Sequence, residues 1–344
     1  MKARGAAIQG ALAVIGLATA YATWQRAPET SPGEVVVLDA GKNDLAKIRY
    51  EDGEGKWVEL EPGPGKEGVW MRVSARGFEV VGGKPSKTPQ QPERFLRGSE
   101  AAERLFEHFA PLRATRALGA LPADKLKEVG LEAPKKKIEV TARGGKTVYL
   151  IGTPPAGVSS PYVKDERDGR VYVLSGGVVS ELESAPGWLV ERRLHAFQPA
   201  DFDGVTVTSG GKKRELVVTG TPGTPGAKLA SKATPDKADD LAKNWHEKVW
   251  RAAPTEVLGQ KEVPKLGEPQ VAVRVDYARK GKAAGWIEIA SVSRPKPIDQ
   301  SAATPPPGPT TEHYARTEHT AGWVKLPGNS DELIKEAEKV VAAQ

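Results

Sequence analysis

Residues 138–183 read IEVTARGGKTVYLIGTPPAGVSSPYVKDERDGRVYVLSGGVVSELE. Apolar residues alternate through Ile138–Val140 and Val148–Ile151 on either side of Gly144-Gly145, which predicts a hairpin. A second pair, led by Tyr162 and Tyr172, turns at Asp168-Gly169, and a Glu-containing helical segment follows Gly176-Gly177. The same order returns in VAVRVDYARKGKAAGWIEIAS (271–291) and HYARTEHTAGWVKLPGNSDELIKEAE (313–338). There a basic Gly-bearing turn precedes Trp286, a Tyr314-led strand and a Trp323 strand follow, and a helix closes the stretch. The likeness lies in the order of elements rather than in identical residues. It predicts a chain built from two similar modules.

At 344 residues the chain has room for two domains with ordinary cores. Its net charge of +6 is modest, and both signs are interspersed as on a solvated surface. The run Lys135-Lys136-Lys137 has no interleaved aromatic platform, so no nucleic-acid partner is expected. The chain has no cysteine, which excludes disulfides, thiolate metal sites and a cysteine nucleophile, but leaves the compartment open.

Lys2 and Arg4 precede GAAIQGALAVIGLATAYATW (5–24), close to the roughly 20 residues that span a bilayer. The two cations favour a cytoplasmic N-terminus, and Tyr21 and Trp24 suit the far interface. An uncleaved signal anchor over 1–26 is the leading reading. Ala18-Thr19-Ala20 also resembles a signal-peptide cleavage site, and a buried soluble helix is the third option. The first two place the bulk of the chain in the periplasm or another extracytoplasmic space, and the anchor makes it a single-pass protein of the inner membrane.

After a tether at 27–34, the first α+β module is expected over 35–200 and the second over 201–344, with Pro-rich insertions near 219–235 and 295–309. In the first, Val35–Leu38 reads as a buried strand, Glu51–Gly55 as a hairpin turn, and Lys84–Pro92 as a loop. Ser99 caps a helix with Ala102, Leu105, Phe106 and Phe109 on one face. Arg113–Leu118 reads as leading to a second short helix at 124–129, with Gly130 as its C-cap. In the second, Gly204–Val218 forms a hairpin, 219–233 a loop, 236–258 a helix, and Ser330 caps the last helix over 331–343. Antiparallel hairpins with packed helices define an α+β class.

No phosphate loop or nucleophile elbow is present, and Gly82-Gly83, Gly144-Gly145, Gly176-Gly177 and Gly210-Gly211 read as turns. Glu312-His313 and Glu318-His319 invite a metal reading, but a turn at Thr320-Ala321-Gly322 separates them, and both are expected to be exposed hairpin residues. Asp201 with Asp203 reads as a turn before a strand, and Glu181 with Glu183 as an exposed helix face. Trp188, Trp245, Trp250, Trp286 and Trp323 fit core positions better than a sugar-binding surface. No catalytic, cofactor-binding or metal-ligating residue is assigned, and no cofactor is expected.

Over 129–207 the chain resembles domain-of-unknown-function family 4340. The matching features are Gly130-Leu131-Glu132-Ala133-Pro134, the strand ending Ile151-Gly152, Pro161-Tyr162-Val163, Val171-Tyr172-Val173-Leu174, and Leu189–Phe197 with Arg192-Arg193-Leu194. The resemblance implies a membrane-anchored, extracytoplasmic bacterial protein that accompanies ABC-type transport or gliding-motility components, and it carries no catalytic residues. The expected function is a non-enzymatic accessory or scaffold partnered with the membrane and other envelope proteins. A carbohydrate- or envelope-polymer-binding module is the alternative, and an envelope hydrolase the third reading.

Overall fold

A computed structural model describes residues 34–74, 80, 81, 84, 85, 93–153, 160–294 and 310–343. The expected anchor, nearly all of the tether and the insertion at 295–309 lie outside the described residues. Among those described, no helix is long and apolar enough to cross a membrane.

The first half lays down β1 (Val35–Leu38), β2 (Leu45–Glu51), β3 (Trp57–Pro62), β4 (Val69–Val73), β5 (Val80–Val81), β6 (Lys84–Pro85), β7 (Arg94–Arg97) and helix α1 (Glu100–Glu107). It continues through β8 (Leu112–Ala114), β9 (Arg116–Ala120), α2 (Ala123–Glu128), β10 (Lys136–Ala142), β11 (Gly145–Ile151), β12 (Tyr162–Asp165), β13 (Arg170–Val173), α3 (Gly176–Glu183) and α4 (Ala185–Trp188). The second half contains β14 (Gly204–Ser209), β15 (Lys212–Thr219), β16 (Lys228–Ser231), α5 (Asp240–Trp250) and β17 (Glu256–Val257). It ends with β18 (Gln270–Arg279), β19 (Lys282–Arg294), β20 (Thr310–Thr317), β21 (Val324–Lys325) and α6 (Asp331–Ala342).

These strands form two large antiparallel sheets, so the class is mixed α+β. The first has the order β7-β4-β3-β2-β10-β11-β12-β13-β9, and the second β16-β15-β14-β18-β19-β20-β21-β17. Remove β7, and each sheet places its first three strands, its four later strands and its post-helix strand in the same succession. In both, a side chain on every second residue faces the helices: Thr147, Tyr149 and Ile151 on β11, Val205 and Val207 on β14. The first core gathers Ile48, Leu60, Met71, Leu105, Phe109, Ile138 and Tyr149. The second gathers Val207, Trp245, Val275, Ile287, Ala337 and Val340. Each fully buried side chain of this kind contributes about 1.5–3 kcal/mol of burial.

Five expectations change. Residues 112–120 are strands β8 and β9 rather than a helical approach, because β1 pairs with Leu112–Ala114 and β13 offers an unpaired edge that the Thr115 N–H and the Arg116–Ala120 backbone satisfy. The 219–235 loop contains β16, whose Leu229 and Ala230 are buried against β15, so only its Pro/Gly turn is irregular. The 236–258 helix shrinks to 240–250, started by the Asp239 side chain accepting from the Ala242 N–H (2.9 Å), and Pro254 lies beyond its end. β1 is half-buried rather than buried, since it pairs only with β8 outside the large sheet, leaving Val36 exposed. Lys84–Pro85, read as loop, pairs with Val80–Val81.

Candidate functional site

The two sheets are joined by Leu189–Gln198, LVERRLHAFQ. Its first part belongs to the first half. The Ser99 N–H donates to the Leu189 carbonyl (2.7 Å), the Glu191 N–H donates to the Arg97 carbonyl (2.9 Å), and Val190 bridges Gly98. Its later part belongs to the second half, where the Thr317 hydroxyl donates to the Leu194 carbonyl and His195 Nδ1 stands 3.3 Å from Glu318 Oε1. Arg94 reinforces the junction, pairing with Glu262 at 2.9 Å and donating to the Val257 carbonyl.

Glu191 is the electrostatic centre of this connector. Arg193 grips it at 2.7 Å, its own following N–H groups donate to it, and His319 Nε2 from the second half lies 3.3 Å away. Burial pushes the Glu191 carboxyl up, but His319 and Arg193 outweigh it and hold the group well below the usual carboxylate range. Glu318 behaves alike: burial raises it, while His195 and the Trp286 N–H (2.8 Å) bring it down. A Cβ on Gly285 would sit 2.3 Å from the Phe197 ring and 2.8 Å from the Glu318 carboxyl carbon, so only glycine permits this approach. His195 stacks on Trp250 with centroids 4.7 Å apart and rings 8° from parallel.

Beside this network opens a cleft of about 680 Å³ lined by Trp188, Glu191, Arg192, Arg193, His195 and Trp250 among others. Trp188 is 68% exposed, the most exposed of the described large apolar side chains. Two indoles and two guanidiniums give stacking faces and fork-shaped donors. Glu191 is committed to its cations and ionised, the opposite of a raised carboxyl suited to general-acid work.

His313 and His319 are buried rather than exposed, because His313 faces the core side of β20 and His319 turns inward to Glu191. Among the described residues no group of three or more His, Cys, Asp and Glu is placed to hold a metal. Trp245 and Trp323 are core, Trp286 is half-buried, and Trp188 alone of the five is exposed. Asp203 sits between a single turn of 3₁₀ helix and β14, accepting from the Lys280 N–H, while Asp201 pairs with Arg279. Glu183 is not idle on its face, since it accepts from the Tyr50 hydroxyl (2.9 Å) and pairs with Lys136 (2.6 Å).

Gly130 and Gly152 explain the motif that carries the resemblance. Added Cβ atoms would meet the Thr153 N–H nitrogen at 2.6 Å and the Val129 carbonyl at 2.2 Å respectively, so each glycine admits the backbone of the residue next to the other, while buried Leu131 packs beside them. Residues 99–253 match the family model described as Domain of unknown function (DUF4340). That stretch belongs to the DUF4340 family. Neither a curated protein nor a solved structure matches the chain. The DUF4340 segment starts at the cap of α1 and ends just past α5, so it holds β9–β13 of the first sheet, β14–β16 of the second and the whole connector between them. No sequence motif marked Glu191, His195 or Trp250 as neighbours; only the crossing of the connector between sheets brings them together.

Proposed function

We propose that this chain is a membrane-anchored, extracytoplasmic accessory or scaffold protein, made of two copies of one α+β module and acting without chemistry of its own in an envelope complex of the ABC-transport or gliding-motility kind. The exposed Trp188 at the mouth of the junction cleft carries the reading: a large indole held in water beside arginines is a typical anchor for a protein partner. The common strand order supports duplication, and the apolar stretch at 5–24 supports an inner-membrane anchor with the rest of the chain on the periplasmic side. A photo-crosslinker in place of Trp188, in cells, is expected to trap a membrane protein, while the same group at exposed Lys213 does not. Equal labelling from both positions, or none from 188, would overturn the proposal.

A second reading is favoured by one observation. Trp188 and Trp250 line the same cleft, the arrangement that stacks on a sugar ring. Co-sedimentation with purified envelope polymer, lost on Trp188→Ala, would select it over a protein partner.

A further inference from the structure

The first half carries a small cleft of about 200 Å³ where α1 passes the end of β3 and the start of β4, lined by Pro62, Val69, Glu103, Phe106 and Glu107. In the second half a cleft of about 320 Å³ occupies the corresponding place, where α5 passes the end of β15 and the approach to β16. The two helices can be counted from their caps, Ser99 and Asp239. Three positions on stand Ala102 and Ala242, six on Leu105 and Trp245, ten on Phe109 and Val249, and all six are buried. The core-facing positions therefore keep one character in both halves.

The positions that line the clefts do not. Four residues past the cap, Glu103 is replaced by Lys243; seven past, Phe106 is replaced by His246; eight past, both have glutamate. Around the first cleft one lysine, Lys42, faces two glutamates and is paired with Glu107. Around the second, Lys228, Lys243 and Arg251 face only Glu247, whose contacts with Lys243 and Arg251 are loose at 4.0 and 3.7 Å. The floor is apolar, with Phe202, Leu229 and Trp250. His246 is 8% exposed, and its Nε2 has no hydrogen-bond partner, a polar group put where the first half packs a phenyl ring. A shared fold does not require this exchange, since the first half fills the same place with Phe106.

We propose that the cleft beneath α5 binds a small amphipathic anion, a carboxylate on an apolar body, with the body over Phe202, Leu229 and Trp250 and the carboxylate among Lys228, Lys243 and Arg251. The volume lies at the lower end of the roughly 300–1,000 Å³ of ligand pockets. The first-half cleft, smaller and of opposite charge, is the built-in control.

Octanoate titrated into the full chain in detergent, followed by calorimetry, is the test. Saturable binding at one site is expected, with octanol and octylammonium at least tenfold weaker. Lys243→Glu, which installs the first half's charge, should weaken octanoate more than tenfold, and His246→Phe, which installs the ring that packs the first-half cleft, should weaken it by a smaller factor. Lys228→Glu on the opposite wall repeats the charge test should Lys243→Glu lower the melting temperature. Absence of saturable octanoate binding, equal binding of octanol, or binding untouched by these substitutions would overturn the proposal.

Discussion

The two sheets share a strand order but solve their edges differently. Beyond β4 the first adds β7, which carries Phe95 and Arg94 into contact with the second half. Beyond the corresponding β16 the second has only an isolated bridge from Ala238 to Ala230, and Asp239 then starts α5 directly. An unpaired edge must be covered, and the two halves cover it with different amounts of chain. The extra strand brings the first half to the junction, whereas the second half uses its short cover to begin a longer helix. The same succession of strands thus yields one half that reaches outward and one that encloses a cleft.

The largest expected effect tests the equivalence of the two helices. Trp245 is buried and its indole N–H donates to the Leu333 carbonyl at 2.8 Å; Leu105, its counterpart, makes only apolar contacts. Trp245→Ala should cost about 4 kcal/mol and Leu105→Ala about 3 kcal/mol by denaturant unfolding, each through loss of core volume. A near-zero cost for either would break the equivalence.

Next comes the exchanged pair Phe106 and His246. Burial, with the neighbouring His195 charge adding to it, pushes the His246 imidazole down to about 4 from its ordinary 6.5. Between those values the unfolded chain binds more protons, so stability is complete above pH 6.5 and declines as pH falls towards 4. The decline attributable to this group is about 3 kcal/mol at most. Comparing melting in His246→Phe with the unaltered chain over that window isolates it; parallel curves would sink the assignment.

Glu191→Gln should cost about 2 kcal/mol. It leaves buried His319 facing a neutral group, although half-exposed Arg193 finds water and lessens the loss. The connector should also loosen, seen as faster amide exchange at Leu194 and Thr317. Unchanged exchange there would mean the ionic contact does not hold the halves together.

The smallest effect separates the two helix caps. Asp239 caps α5 with its side chain, so Asp239→Ala should cost about 1 kcal/mol. Ser99 makes no side-chain cap, and its buried hydroxyl has no partner, so Ser99→Ala should be neutral or slightly stabilising. Equal costs would erase this distinction.

Much of this was readable in advance. The hairpin of Gly210 and Gly211, both at positive φ, and the strand pairs of 136–173 follow from alternation and turn residues, which act locally. The helices after Ser99 and Ser330 follow from apolar spacing, although neither serine side chain makes the cap expected of it. What misled was local preference without its tertiary partner: Arg113–Leu118 has helix-forming residues, yet β1 and an open edge on β13 claim its backbone. His313 and His319 looked like hairpin surface, since nothing nearby in the chain announces that Glu191 and the core will receive them. Of the cleft, Trp188 was visible as a residue but not as an exposed one.

The sequence by itself determined the α+β class, the main hairpins and the helices after Ser99 and Ser330, and the family likeness around Gly130 and Gly152, because periodicity and glycine geometry act over a few residues. The tertiary structure alone decided that the connector binds two sheets through Glu191 and His195, that Trp188 stands in water, and that corresponding places under α1 and α5 carry opposite charge. Those facts depend on residues far apart in the chain meeting across packed surfaces, where burial and pairing rather than local spacing set what each side chain becomes.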